Sequence, residues 1–341
     1  MSDQPSIEDI TALQELMFPS AAQAVRIAAE LGLADLLADG PLQVGELAAK
    51  AGAVSRPLSG MLRVLTVEGV FAEPTPGVFA NTPRSELLRK GVQDSQFIMS
   101  GLGAADWLWA SYGELGHSVR TGGPAFPKVY NTHLWAWLGQ NPDQARQFNN
   151  AMDEFSTTLG PRIVSSYTDF ENAGVVADLG GGTGTYLSNI LSAYPSVKRG
   201  VLVDQPSVIE QAKGRADLAP LVESNRLDFF PGDFFADVPT GIDLYVTKQI
   251  THSWSDDKLV SLLKLCRDAS PTAGIAAAEL VQTQDAPRFV RHFDVMMYVT
   301  MAGFLRTAEE YAELFGQAGY ELKRVVPTDT AFSIIEAVPA K

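Results

Sequence analysis

The spacing of apolar positions changes character near residue 174. Before it, apolar residues recur at three- and four-residue intervals. AAQAVRIAAELGLADLL (residues 21–37) predicts an amphipathic helix, and residues 41–52 and 55–69 predict two more around a short turn. In VFAEPTPGVFANT (residues 70–82), two strand-like runs flank a Pro-Thr-Pro-Gly turn, a hairpin signal. Helix, turn, helix, hairpin is the winged-helix pattern, one use of which is DNA binding. The second helix, SRPLSGMLRVLTVEG, is mostly apolar and carries only two arginines, so it predicts packing or dimerisation instead. Helical texture continues over residues 101–167. Trp107, Trp109, Trp135 and Trp137 cluster there, which predicts an aromatic-lined core or pocket.

Beyond residue 174, β-type apolar runs alternate with helical patterns: VVADL, YLSNILSAY, GVLVD, SVIEQAKGRA, RLDFF, IDLYVT, KLVSLLKLC, GIAAAEL. Such alternation predicts a parallel sheet covered by helices on both faces. A helix over residues 308–319 and two strand-like runs, ELKRVVP and AFSIIEAV, close the chain. The expected fold is α/β: a helical, winged-helix-like N-terminal domain, then a doubly wound, seven-stranded, Rossmann-like domain.

Charge and composition narrow the partners. A formal net charge of -14 argues against nucleic acid, which requires a basic face. No apolar run approaches a membrane span, and MSDQPSIEDI is not a secretory signal. The one cysteine, Cys266, excludes an intramolecular disulfide and fits a reducing compartment, so a cytoplasmic location is expected. Its helical context, LVSLLKLC, predicts buried packing.

Chemistry enters at VVADLGGGTGTYLSNI (residues 175–190), a glycine-rich turn between a strand and a helix. The dinucleotide fingerprint G-x-G-x-x-G fails, because Thr185 stands where its third glycine belongs. The Gly-Lys-Ser/Thr end of a phosphate-binding loop is absent too. The pattern is Asp178-x-Gly180-x-Gly182-x-Gly184, which resembles the first motif of class I S-adenosylmethionine-dependent methyltransferases. Bare glycine backbone at Gly180 and Gly182 would let the methionyl part lie against the turn, and Asp178 would stabilise its positive charge. Asp204 ends the next strand and would accept the ribose hydroxyls. Asp233 and Phe234 follow the third strand and would serve the adenine amino group and face.

The segment Ile242–Leu263, IDLYVTKQITHSWSDDKLVSLL, makes the resemblance specific. Its K-x-x-x-H-x-W-x-D pattern is similar to that of the plant caffeic acid O-methyltransferase family and its bacterial small-molecule relatives. Ser255-Asp256-Asp257 reads as the start of a helix. The resemblance implies that His252 is the base, that Lys248 and Trp254 contact the cofactor, and that an acid supports the histidine, a place Glu279 fills. FNNAMDEFST (residues 148–157) resembles the segment before the first motif. Ser156 would then touch the cofactor, and Met152 would face the substrate. RHFDVMMYV (residues 291–299) resembles the substrate-wall helix, making His292, Met296 and Met297 pocket candidates together with Trp107.

The resemblance covers nearly the whole chain. It implies a dimerisation domain over residues 1–100, a helical linker and pocket region over 101–170, and an S-adenosylmethionine-binding catalytic domain over 171–341. The expected activity is methyl transfer to the hydroxyl of a small phenolic compound by a homodimer. A base histidine suits this chemistry, since a phenol is a poor nucleophile at neutral pH and its phenolate a good one. Two departures stand out. Leu305 replaces the family's second acid, before Arg306-Thr307, and Ser253 replaces the usual aspartate after the histidine. They keep open an alternative in which the same fold binds the cofactor but methylates nitrogen or carbon, or does not methylate. No metal site is expected from His252 and His292, which are widely separated in sequence.

Overall fold

The computed structural model describes residues 5–18 and 20–341, in two compact units, Met1–Asp106 and Trp107–Lys341. In the first unit the helices Ser20–Glu30, Leu33–Leu36, Val44–Ala51 and Ser55–Val67 precede a small antiparallel sheet. Its strands are β1 (Leu42–Gln43), β2 (Phe71–Thr75) and β3 (Val78–Asn81), in the order β1-β3-β2. The single helix expected over 21–37 is two, because Gly32 adopts a left-handed conformation (φ 63°) and turns the chain. Leu33, Leu47, Leu58, Leu62, Leu65, Phe71 and Phe79 close the core of this winged-helix arrangement. Ahead of it, Ile7–Leu16 is a helix capped by a reciprocal Ser6–Asp9 box. Its Ile7, Ile10, Leu13 and Leu16 are exposed.

The second unit contains the helices from Leu115 onward, including the long helix Pro142–Ser165, and a seven-stranded sheet. The strands are β4 (Val175–Leu179), β5 (Arg199–Asp204), β6 (Leu227–Pro231), β7 (Leu244–Lys248), β8 (Gly274–Glu279), β9 (Tyr320–Pro327) and β10 (Ser333–Pro339). Their order is β6-β5-β4-β7-β8-β10-β9. The first five pair in parallel, while β10 lies antiparallel between β8 and β9. The link between β9 and β10 is too short for a crossover, so the last two strands form a hairpin. Alternation along each strand separates two cores. Val176, Leu202, Val246 and Ile334 face one layer of helices, and Ala177, Val203, Tyr245 and Ile335 the other.

Strand order reverses between β4 and β7. An open α/β sheet of this kind leaves a crevice there, at the carboxyl ends of the strands. Asp178, Asp204, Lys248 and Glu279 all stand at those ends.

Candidate active site

The turn after β4 passes through left-handed conformations at Gly180 (φ 70°) and Gly182 (φ 60°), which favour glycine. A Cβ at Gly180 would lie 2.6 Å from the Ile250 side chain, whereas one at Gly182 would meet open space. Beneath the turn Asp178 is fully buried, and neither carboxylate oxygen has a hydrogen-bond partner among the described residues. Burial raises this carboxyl to about 7; Lys248 pulls it down and Asp204 pushes it further up. Lys248 is lowered to about 8 by burial, against Asp178, Glu279 and Asp153. Its Nζ donates to Gln249 Oε1 at 2.8 Å and sits 5.7 Å from the centre of the Phe155 ring. Asp204 accepts the Gly182 N–H at 2.8 Å and the Gln205 N–H at 2.7 Å; burial raises its carboxyl.

Asp233 accepts the Phe235 N–H at 2.9 Å and is exposed. Phe234 reaches the glycine turn, its ring 3.4 Å from a Cβ at Gly180. Phe234, Phe235 and Trp254 form one aromatic group, with Phe235 and Trp254 centroids 4.6 Å apart. Ser156 is buried on the helix Pro142–Ser165, and its hydroxyl donates to the Met152 carbonyl. Sequence reasoning missed the anchor one turn earlier. Asp153 accepts the hydroxyls of Thr183 and Thr185 and, at 2.8 Å, Arg215 Nη1, tying this helix to the glycine turn. No spacing signal pointed to Arg215, which the fold brings from a distant loop.

His252 lies on a short 3₁₀ turn, Thr251–Ser253, after β7. Gln249 precedes it in a left-handed conformation (φ 60°), so the following amides converge on the end of β8. There Glu279, fully buried, receives His252 Nδ1 on Oε2 at 2.5 Å. Its Oε1 accepts the N–H groups of Ile250 (3.0 Å) and Thr251 (2.7 Å) and the Thr251 hydroxyl (2.7 Å). Burial alone would raise the Glu279 carboxyl, but His252 and then Thr251 hold it below the usual carboxylate range.

From the opposite side Arg306, 1% exposed, donates to the carbonyls of Thr251 (2.9 Å) and Trp254 (2.8 Å) and to Asp256. Ser255 occupies the N-cap position of the next helix without a side-chain cap, and Asp256 pairs with Arg306 instead. Gly303 crosses the same loop so closely that a Cβ would sit 2.0 Å from the His252 carbonyl oxygen.

The pocket candidates divide. Phe293, which sequence reasoning passed over, packs edge-on against His252 with centroids 5.2 Å apart. Its neighbour His292 is exposed and accepts Arg288 Nε at 3.2 Å, since adjacent helical residues face different ways. Met297 is buried, and Met296 and Met152 are half-buried. Trp107 is buried against Phe126 and Trp137, while Trp135 packs on Phe148 instead. Leu305, at the position of the family's second acid, is buried in the apolar core and donates its N–H to Asp294. Among the described residues, no group of three or more His, Cys, Asp or Glu side chains could hold a metal ion.

The residues suit S-adenosylmethionine. An unpartnered buried carboxylate beside an open glycine turn would repel a phosphate and attract an ammonium or sulfonium. The sheet and this crevice thus define an α/β protein built to hold a cationic nucleoside cofactor. The O-methyltransferase domain model matches residues 112–321, and the O-methyltransferase dimerisation domain model matches 15–91.

The chain is 38% identical over 322 residues to the phenazine O-methyltransferase PhzM of Lysobacter antibioticus, covering 93% of this chain and 92% of that one. It superposes with a TM-score of 0.87 on CalO1, a methyltransferase of calicheamicin biosynthesis in its S-adenosylhomocysteine-bound form (31% identity, 99% and 100% covered). The O-methyltransferase NcsB1 of neocarzinostatin biosynthesis, in complex with S-adenosylmethionine and 2-hydroxy-5-methyl naphthoic acid, gives 0.80 (30% identity, 96% and 98% covered). The chain belongs to the S-adenosylmethionine-dependent O-methyltransferase family.

Proposed function

We propose that the chain methylates a hydroxyl of a small aromatic metabolite, with His252 as general base and Glu279 as its partner. The observation that carries this reading is the buried His252–Glu279 pair beside the glycine turn, 2.5 Å between Nδ1 and Oε2. Glu279 is held as a carboxylate, so Nδ1 carries the hydrogen and Nε2 keeps the lone pair. Nε2 takes the proton of the acceptor hydroxyl, and Glu279 stabilises the imidazolium that forms.

S-adenosylmethionine, when bound, supplies an electrophilic methyl group on a sulfonium. Asp178, with Gly180 and Gly182, would hold its methionyl end. Asp204 would hold the ribose, and Asp233, Phe234 and Trp254 the adenine. Lys248 and Ser156 would flank the cofactor. The PhzM and NcsB1 relatives support a flat aromatic acceptor, which Phe293, Met296 and Met297 would line, with Trp107, Met152 and His292 as further pocket candidates.

The matched dimerisation domain and the exposed apolar residues of Ile7–Leu16 support a homodimer. The net charge of -14 argues against a nucleic-acid partner. No helix among the described residues is long and apolar enough to cross a membrane. The single cysteine, buried in the core, supports a cytoplasmic setting.

The test is S-adenosylhomocysteine formation over a panel of phenols, catechols and hydroxylated aromatic acids, with His252→Ala beside the wild type. Cofactor binding should survive in the variant while kcat falls about 10²- to 10⁴-fold. An unchanged rate would remove the base from the mechanism and favour an acceptor that needs no deprotonation.

A further inference from the structure

Behind Glu279 stands a pair of hydroxyl groups that the proton transfer itself does not use. Thr251 Oγ1 donates to Glu279 Oε1, and the Tyr311 hydroxyl lies 2.7 Å from the same Oγ1. Because the Thr251 hydrogen points to the carboxylate, Tyr311 is the donor in the second bond. Thr251, Tyr311 and Glu279 are all buried, so no solvent competes. Oε1 thus collects three donors from Ile250 and Thr251, while Oε2 is left to His252.

A buried carboxylate this close to an imidazole, without other donors, would bind the imidazolium so strongly that the ring stayed protonated and could not act as a base. Hydrogen bonds to the far oxygen draw negative charge away from His252. We propose that Thr251, backed by Tyr311, is a positioning residue that weakens the hold of Glu279 on the imidazolium and sets the pH at which His252 becomes a free base. This rests on the reading of His252 and Glu279 as the proton-accepting pair.

The surrounding charges are fixed by other partners. Lys248, at the end of β7, is felt by Glu279. Arg306 caps the Thr251 carbonyl and pairs with Asp256. From the helix Arg288–Thr300, Phe293 faces His252, and Asp294 is engaged by the Leu305 N–H and Gln282. From the helix Ala308–Gln317, Tyr311 is the residue bonded to Thr251. Thr251→Val keeps the side-chain shape and the amide donors and removes only the hydroxyl. Thr251→Val with Tyr311→Phe also leaves no orphan hydroxyl behind.

The experiment is an NMR titration of the His252 imidazole in the ligand-free full-length chain, with its resonance assigned by its loss in His252→Gln. The midpoint should rise by about half to one pH unit in Thr251→Val and in the double variant. It should rise less in Tyr311→Phe and return to the wild-type value in Thr251→Ser. A folded double variant with an unmoved or lowered midpoint overturns the proposal. If neither Thr251→Val variant folds, an unmoved midpoint in Tyr311→Phe overturns it. The titration needs no methyl acceptor. A His252→Ala enzyme that keeps its rate would therefore refute the base reading while leaving the hydrogen-bond effect separately measured.

Discussion

Replacing Asp178 with asparagine should stabilise the ligand-free protein near neutral pH while weakening its hold on the cofactor. The Asp178 carboxyl is raised from 3.8 to about 7 by burial. A raised carboxyl contributes stability that is fully present below its unfolded pKa and is lost as pH rises through its folded value. The window here runs from about 4 to about 7. Above it the folded state carries a penalty of about 4 kcal/mol, at 1.36 kcal/mol per unit.

Asparagine removes that penalty but still buries an unpartnered amide, at about 1–3 kcal/mol. The net gain at about pH 8 is therefore roughly 1–3 kcal/mol, and about 3 kcal/mol of the advantage disappears between pH 8 and pH 5. Thermal melts of both proteins at the two pH values read this directly. Isothermal titration calorimetry with S-adenosylmethionine should show affinity reduced about 10- to 100-fold, the loss of a charge-assisted contact. A variant that melts below the wild type at pH 8, or binds the cofactor unchanged, would refute the reasoning.

Two further substitutions probe the loop that carries His252. Arg306→Met strips the Thr251 and Trp254 carbonyls of their donor, while Asp256, 53% exposed, can return to water. Stability should fall by about 2–4 kcal/mol in denaturant melts, with partial recovery in Arg306→Lys; a loss under about 1 kcal/mol would dismiss the clamp. Gly303→Ala drives a methyl against the His252 carbonyl and to 2.6 Å from the Trp254 nitrogen. Overpacking of about 1–3 kcal/mol should lower kcat at least tenfold with cofactor affinity retained, and unaltered kinetics would show that the loop yields freely.

Much of the site could be read along the chain because its parts sit at strand ends. Asp178, Asp204, Lys248 and Glu279 each close an apolar run, and a parallel sheet aligns such ends on one edge. Gly180 and Gly182 were visible because only glycine suits that turn. Residues acting through backbone contacts left no such mark. Thr251 reads as a spacer inside K-x-x-x-H, Tyr311 as one apolar position on a helix, and Gly303 as an ordinary loop glycine. Phe293 and His292 are adjacent in sequence, and only helix orientation separates the ring facing His252 from the one facing outward.

The sequence by itself determined the alternation of strands and helices, the glycine turn and the placing of acids after successive strands, because each depends on local periodicity or backbone permissiveness. The tertiary structure alone decided which groups meet. It turned the last two strands antiparallel through a link too short to cross the sheet. It set Glu279 against His252 across two neighbouring strand ends, and it brought Arg306 and Gly303 onto the far side of the same loop. Those contacts join residues distant in the chain, so no local pattern encodes them, and in a buried site of low polarity they fix the charge and orientation of His252.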